Sequence, residues 1–354
     1  MTNDRPRFGS HTSSRSDIEA NRHLWNEAVE ASSGQLLQSW EWGELKSRWG
    51  WDVERVAIES GGQPAFAQIL FQHRGPVSIG YLPRGPVLGD GDPALAAELF
   101  NAVDERARRH RAISLIVEPD RSLPFTGRYR DAGFVQGPPH IQPSRTVKVP
   151  LLDDEALLNQ MHQKTRYNVR LAQRRGVVAR QATPDPDSLE TFYGLLADTA
   201  GRNDFGIHQA AYYSDFMRLF GDRAILLFAL IDGVAVAGLV AAWFGREAIY
   251  MYGASSTKHR AHGAGFFLQF EAMRRAREAG CTHYDLWGIP AVTPASTEGQ
   301  TGNRMAGTHG SDWRGLYEFK VRFGGEILSY PGSLERRYWP VLSALARRLY
   351  RPAS

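Results

Sequence analysis

The sequence predicts a mixed α/β protein in which one plan, hairpin then helix then strand, is used twice as a pseudo-repeat. Two observations carry this reading. β-rich runs pivot on short turn signals at Gly61–Gly62, Asp232–Gly233 and Gly245–Arg246, residue pairs that suit the tight turns of hairpins. Each set of hairpins is followed by a helical pattern and then a short apolar strand, "ISLIVEPD" (113–120) in the first half and "CTHYDLWGI" (281–289) in the second. Sheets flanked by helices bury such faces efficiently.

Residues 1–17 are polar and lack an apolar core, so they read as a disordered lead-in rather than a signal peptide. Residues 18–50 look helical. "VERVAIESGGQPAFAQILFQHR" (53–74) forms the first hairpin, and "SIGYLPRGPVL" (78–88) is an extended piece limited by Pro83 and Pro86. "DPALAAELFNAVDERARRHR" (92–111) is the first crossover helix. In the second half, 189–201 and 210–221 are helical, 224–255 carries the strands, and 263–280 is an amphipathic helix ended by Gly280. This divides the chain into a first domain at 18–150, completed by the C-terminal 331–354, and a second at 151–330. Residues 291–315 have little apolar periodicity and read as a long functional or disordered loop. The tail 336–351 reads as a short packing helix, with contact to a membrane surface as the alternative.

The chain has 354 residues, 42% hydrophobic and 23% charged, enough apolar material for one large domain or two of common size. A single cysteine, Cys281, rules out a disulfide framework and a cysteine-rich metal site; it reads as a packing residue. His259 and His262 lie close together but without accompanying carboxylates, so no metal is expected. No apolar run approaches the ~20 residues of a membrane span, and a cytoplasmic monomer is expected. The net charge of +4 does not by itself call for nucleic acid, so any anion site must come from local clustering.

The densest cluster is "QKTRYNVRLAQRRGV" (163–177), with Lys164, Arg166, Arg170, Arg174 and Arg175. Arg166, Arg170 and Arg174 fall four residues apart, which stacks them on one helix face despite their mutual repulsion. The face reads either as a phosphate site, with Tyr167 able to stack on a base, or as a solvated face screened by salt. A second motif, Arg260, Gly263 and Gly265, fits R-x-x-G-x-G at a helix start, where backbone amides can approach a pyrophosphate. The same glycines equally suit close packing of helix on sheet. Third, Lys320 follows Phe319 in the β-prone segment "LYEFKVRFGGE" (316–326) and is either an oxyanion stabiliser or an exposed strand lysine. Tyr81, Tyr212, Tyr213, Tyr250 and Tyr252 either line a polar pocket or fill the core.

As an ordered set, "LQSWEWGELK" (37–46), "YLPRGPV" (81–87), "KTRYNVRLAQRRGV" (164–177), "FGIHQAAYY" (205–213), "YMYGASS" (250–256), "LQFEAMRRAREAGCTHYDLWGI" (268–289) and "GLYEFKVRFGGE" (315–326) resemble the Fem family of peptidoglycan-bridge aminoacyltransferases (FemA, FemB, FemX). The resemblance covers about residues 35–330. It implies two domains of the acyltransferase fold called GNAT, in the compact form without a coiled-coil arm. It also implies transfer of an amino acid from aminoacyl-tRNA to an amine on the stem peptide of a peptidoglycan precursor, either UDP-MurNAc-pentapeptide or its lipid-linked form, with no cofactor. Lys46, Tyr212 and Tyr252 match residues of the precursor pocket. His208 stands where the family usually has a phosphate-gripping arginine. Phe319 and Lys320 match the pair beside the reacting carbonyl. The anion awaited by the basic helix is then either tRNA phosphate or the pyrophosphate of the precursor. The R-x-x-G-x-G signature keeps an acetyl-CoA-dependent N-acyltransferase open, and the basic helix a non-catalytic RNA-binding protein.

Overall fold

A computed structural model describes residues 15–89, 92–121, 123, 130, 132–203, 206–256, 262–290 and 313–343. Most of the lead-in 1–17, Arg260, nearly all of the 291–315 loop and the tail beyond residue 343 lie outside the described residues.

The first half contains helices α1 (Arg15–Ala31), α2 (Trp40–Arg48) and α3 (Pro93–Arg109), with strands β1 (Asp52–Ser60), β2 (Gln63–Arg74), β3 (Val77–Pro83), β4 (Val87–Leu88), β5 (Ala112–Glu118) and β6 (Phe134–Gln136). After β7 (Arg145–Pro150) come α4 (Asp154–Gln160), α5 (Gln163–Arg174), β8 (Val178–Ala182), α6 (Pro186–Asn203) and α7 (Ala210–Phe220). The chain continues through β9 (Ala224–Ile231), β10 (Val234–Phe244), β11 (Glu247–Ser255), α8 (Ala264–Glu278) and β12 (His283–Asp285). Past the 291–315 loop it forms α9 (Trp313–Val321), β13 (Glu326–Ser329) and β14 (Leu334–Arg337).

Two seven-stranded sheets result, one in the order β1-β2-β3-β5-β14-β6 with β4 on β2, the other β13-β7-β12-β11-β10-β9-β8. The repeat is visible in the pairing. β1, β2 and β3 are antiparallel, and α3 then crosses over to β5, parallel to β3. β9, β10 and β11 are antiparallel, and α8 then crosses over to β12, parallel to β11. Each sheet is extended by an antiparallel strand from elsewhere in the chain: β14 on β5, and β7 on β12.

The apolar stripe of α3 (Leu95, Leu99, Phe100, Val103) packs on the first sheet through Ile69, Leu115 and Val117. α5 and α8 cover one face of the second sheet, bringing Val169, Ala172, Phe267 and Met273 against Leu227, Leu239 and Tyr284. A third cluster unites the halves: Trp25, Leu36, Phe66 and Val87 meet Phe192, Phe216, Phe228, Phe244 and Ile249. Burial of this shared apolar surface holds the two sheets together.

Four expectations change. The helical stretch 18–50 breaks after Ala31, where Ser33 takes a positive φ of 57°, and restarts at α2 under a Ser39 cap that accepts from the Trp42 amide. The segment 316–326 is helical through Val321 rather than extended. Phe319 and Phe323 pack on each other at 5.2 Å and on Phe266, so tertiary burial outweighs β-propensity. Arg336 and Arg337, read as part of a tail helix, lie in β14. The division at residue 150 falls at the end of β7, a strand of the second sheet, so the change of sheet comes before Arg145. No described helix is long and apolar enough to cross a membrane.

Gly263 starts α8 in the left-handed region, φ 71°, and a Cβ there would stand 2.6 Å from the Asn168 carbonyl oxygen of α5. Gly263→Ala therefore lowers stability by about 1–3 kcal/mol, read as a lower midpoint at unchanged slope in urea denaturation.

Candidate active site

The carboxy-terminal turn of α2 presents Lys46, whose Nζ donates to the Tyr212 hydroxyl at 3.0 Å and lies 4.4 Å from the Trp42 ring centroid. Tyr212 stands on α7 beside Tyr213, both buried. The His208 ring stacks on Tyr212 at 3.8 Å, and the His208 amide donates to the Tyr213 hydroxyl at 3.2 Å. From β11, Tyr252 donates to the Tyr212 hydroxyl at 3.5 Å. The four residues expected in the precursor pocket, Lys46, His208, Tyr212 and Tyr252, thus come together from α2, the segment before α7, α7 itself and β11.

Burial, with the Lys46 charge beside it, holds His208 down to about 4, so its imidazole is neutral near pH 7. Burial pushes Tyr213 up to about 12 and Tyr252 well above its usual value, so both keep their protons. Lys46 supplies the positive charge of this group.

Lys320 forms a second group. It lies on α9, only 6% exposed, which overturns the reading of an exposed strand lysine. Its Nζ donates to the Gly288 carbonyl at 2.8 Å and stands 5.7 Å from the Tyr250 ring centroid. An ammonium carries three donors, and among the described residues two of them have no hydrogen-bond acceptor. Burial brings Lys320 down to about 8, while Asp285 nearby favours the charged form. Asp285 is fully buried and organises the turn: its carboxylate accepts from the Thr146 hydroxyl, from the Trp287 amide at 2.7 Å and from the Tyr330 hydroxyl at 3.4 Å. Trp287 takes a φ of 60° in the turn whose next residue, Gly288, offers its carbonyl to Lys320. Phe319 packs on Phe266 at 5.0 Å and anchors α9 on α8.

Tyr250 and Tyr252 connect the two groups. Two residues apart on a regular strand, they would share a face. A β-bulge sets Tyr250 opposite Ala241 and Tyr252 opposite Val240, so Met251 is an extra residue. Tyr250 then joins the cluster with Phe319 and α8, and Tyr252 the cluster with Tyr212 across the sheet. The β11–β12 ladder also stops at Ile249–Asp285, while β11 runs on to Ser255 paired with β10. The sheet therefore splays beside Gly288, with Lys320 towards one face and Lys46 towards the other.

The basic helix α5 buries Thr165, Val169 and Ala172 and leaves Lys164, Arg170 and Arg174 exposed. Arg166 donates to the Asn159 carbonyl, and Arg174 lies 5.8 Å from the Tyr167 ring. No carboxylate among the described residues pairs with Lys164, Arg166, Arg170 or Arg174. α5 packs in the same cluster as Phe319, on the Lys320 face of the sheet. Gly263 is accounted for by close packing on Asn168, and Arg260, its motif partner, lies outside the described residues.

Sequence reading missed Asp285 and Arg84. Arg84 is buried, with its guanidinium 3.4 Å from the Tyr330 ring centroid and 5.7 Å from that of Trp287, and it donates to the Pro143 carbonyl. It ties the first half to the turn that holds Lys320. The signal available was its place in "YLPRGPV", which carries no chemistry alone.

The FemAB family model matches residues 25–126, and a GNAT acetyltransferase domain model matches residues 159–294. The lipid II:glycine glycyltransferase of Staphylococcus aureus is 24% identical over 355 aligned residues, covering 75% of this chain and 84% of that protein. The crystal structure of FemX superposes with a TM-score of 0.80 at 21% identity, covering 92% of this chain and 98% of that one. L-PGS from Bacillus licheniformis follows the same fold more loosely, with a TM-score of 0.54 at 18% identity over 95% of this chain and 96% of that one. With a Fem match on the first half, a GNAT match on the second and both halves built to one plan, the chain has a GNAT-type fold used twice and is similar to proteins of the Fem family.

Proposed function

We propose that this protein is an aminoacyltransferase that moves an amino acid from aminoacyl-tRNA to an amine of the peptidoglycan stem peptide, building a cell-wall cross-bridge. The observation that carries this reading is a buried lysine with free donors at a splay in the sheet, facing a separate lysine–tyrosine pocket on the other side. The glycyltransferase name of the S. aureus relative supports a peptidoglycan precursor as acceptor.

Two substrates then approach from two faces. The exposed arginines of α5 lie on the Lys320 side and suit the phosphates of a tRNA acceptor end. Lys46 lies on the other side and suits the pyrophosphate shared by the nucleotide-linked and lipid-linked precursors. The neutral His208 contributes hydrogen bonding and stacking without a full charge. The reaction belongs on the cytoplasmic side, where aminoacyl-tRNA is made.

An aminoacyl ester is already activated, so the chain needs chiefly to orient and to stabilise charge. The acceptor nitrogen attacks the ester carbonyl and a C–N bond forms. The negative oxygen of the tetrahedral intermediate accepts from Lys320, whose remaining donors point away from Gly288. The bond to the ribose oxygen then breaks, and that oxygen leaves with the proton released by the amine.

Lys320→Ala reduces kcat for transfer from charged tRNA by about 10²–10³-fold, with precursor affinity by calorimetry unchanged; full activity in this variant would refute the assignment. Lys320 titrates at about 8 and acts as the ammonium. The ratio of the wild-type rate to the Lys320→Arg rate, in which the titration of the acceptor amine cancels, therefore holds below that pH and falls about tenfold per unit above it. Lys46→Met raises KM for the precursor about tenfold or more and leaves kcat within about twofold, as steady-state kinetics would show.

A further inference from the structure

A second constellation lies on the first sheet, away from every residue used above. Asp52 opens the edge strand β1, His73 lies near the end of β2, and His110 caps the carboxy-terminal end of α3. The register pairs Asp52 with Phe71. The His110 ring stacks on Phe71 at 4.2 Å, with only 2° between the planes, which holds the imidazole beside Asp52.

Three donor atoms converge there. His73 Nε2 is 3.0 Å from Asp52 Oδ2, His110 Nδ1 is 3.4 Å from His73 Nε2, and His110 Nδ1 is 3.7 Å from Asp52 Oδ2. Zinc bonds of about 2.0–2.2 Å in a tetrahedron set neighbouring donors about 3.3 Å apart, within the span of these distances. Two imidazoles and a carboxylate form a donor set for a borderline transition metal rather than for magnesium or calcium, which take oxygen ligands.

The surroundings of His110 give a second, independent observation. Its other nitrogen, Nε2, stands 3.0 Å from Glu54 Oε1, and Glu54 Oε2 lies 3.4 Å from Arg106 Nε. A carboxylate that accepts a hydrogen bond from Nε2–H fixes the tautomer whose Nδ1 lone pair faces Asp52 and His73. This carboxylate–histidine arrangement orients metal ligands in general. Without a cation, His73 Nε2 faces both the Asp52 carboxylate and the His110 Nδ1 lone pair with one proton to offer. Asp52 and His73 are 61% and 42% exposed in their side chains, so the fourth position opens to solvent.

We propose that Asp52, His73 and His110 bind a divalent transition metal ion, zinc by donor type, with water in the fourth position and Glu54 orienting His110. The ion clips the start of an edge strand to its neighbour and to the end of the helix packed on them. The site stands independently of the aminoacyl transfer proposed above.

The test uses the full chain without an affinity tag, stripped with chelator, and titrated with Zn²⁺ against a chromophoric competitor, with Mg²⁺ in parallel. The proposal expects one equivalent of Zn²⁺ bound, no competition by Mg²⁺, and a higher melting temperature in the zinc form. His73→Ala and Asp52→Asn, both at exposed side chains, each weaken Zn²⁺ binding at least tenfold, and Glu54→Gln weakens it about 10–100-fold. Cobalt in place of zinc shows the intense visible bands of a tetrahedral site, lost in His73→Ala. Absence of Zn²⁺ binding in the wild-type chain, or binding undiminished in both His73→Ala and Asp52→Asn, would overturn it.

Discussion

Keeping an ammonium inside the protein is the constraint that the second half is built around. A buried charge without partners is strongly unfavourable, and Lys320 is held at 6% exposure. Asp285 offsets this burial, and its carboxylate is in turn held by Thr146, Trp287 and Tyr330. These partners come from strand β7, the turn after β12 and the segment after β13. The strand that extends the second sheet from before it in sequence is therefore also the strand that steadies the counter-charge of its lysine. Arg84 closes the arrangement from the first half by covering Tyr330 and Trp287.

The second organising feature is the splay beside β11. A bulge of one residue separates Tyr250 and Tyr252 to opposite faces, and the early end of the β11–β12 ladder leaves a gap beside the Gly288 carbonyl. This geometry lets one sheet present a charged group on each side without bringing the two lysines together, where they would repel. The shared apolar cluster between the halves keeps α2, and so Lys46, fixed against α7 on one side only. Packing between the halves is thus part of how the Lys46–Tyr212 pocket is made.

Much of this plan was legible in the sequence. The turn pairs marked the hairpins, and the periodicity of 92–111 and 263–280 marked the two crossover helices, because these signals are local. The matches of Lys46, His208, Tyr212 and Tyr252 to one pocket rested on resemblance, and the structure brings those four together. The return of the C-terminal segment to the first half agrees with β14 in the first sheet, but the place of β7 in the second sheet was not legible, since short strands are assigned by partners far along the chain. α9 was misread because its aromatic residues favour strands locally, while Phe266 rewards a helix. Asp285 was missed because one acid in "HYDLWGI" is unremarkable until Thr146, Trp287 and Tyr330 surround it. The Asp52–His73–His110 group was invisible for the same reason: its members are spread over three elements, and only the pairing of β1 with β2 and the stacking on Phe71 unite them.

The most direct test of the account is mass spectrometry of UDP-MurNAc-pentapeptide and of its lipid-linked form after incubation with the protein and a charged tRNA pool, with acetyl-CoA in a parallel reaction. The account predicts that one of these acceptors gains the mass of one amino-acid residue, only when charged tRNA is present. Gain of an acetyl group with acetyl-CoA alone, or no gain on either acceptor with charged tRNA, would contradict it.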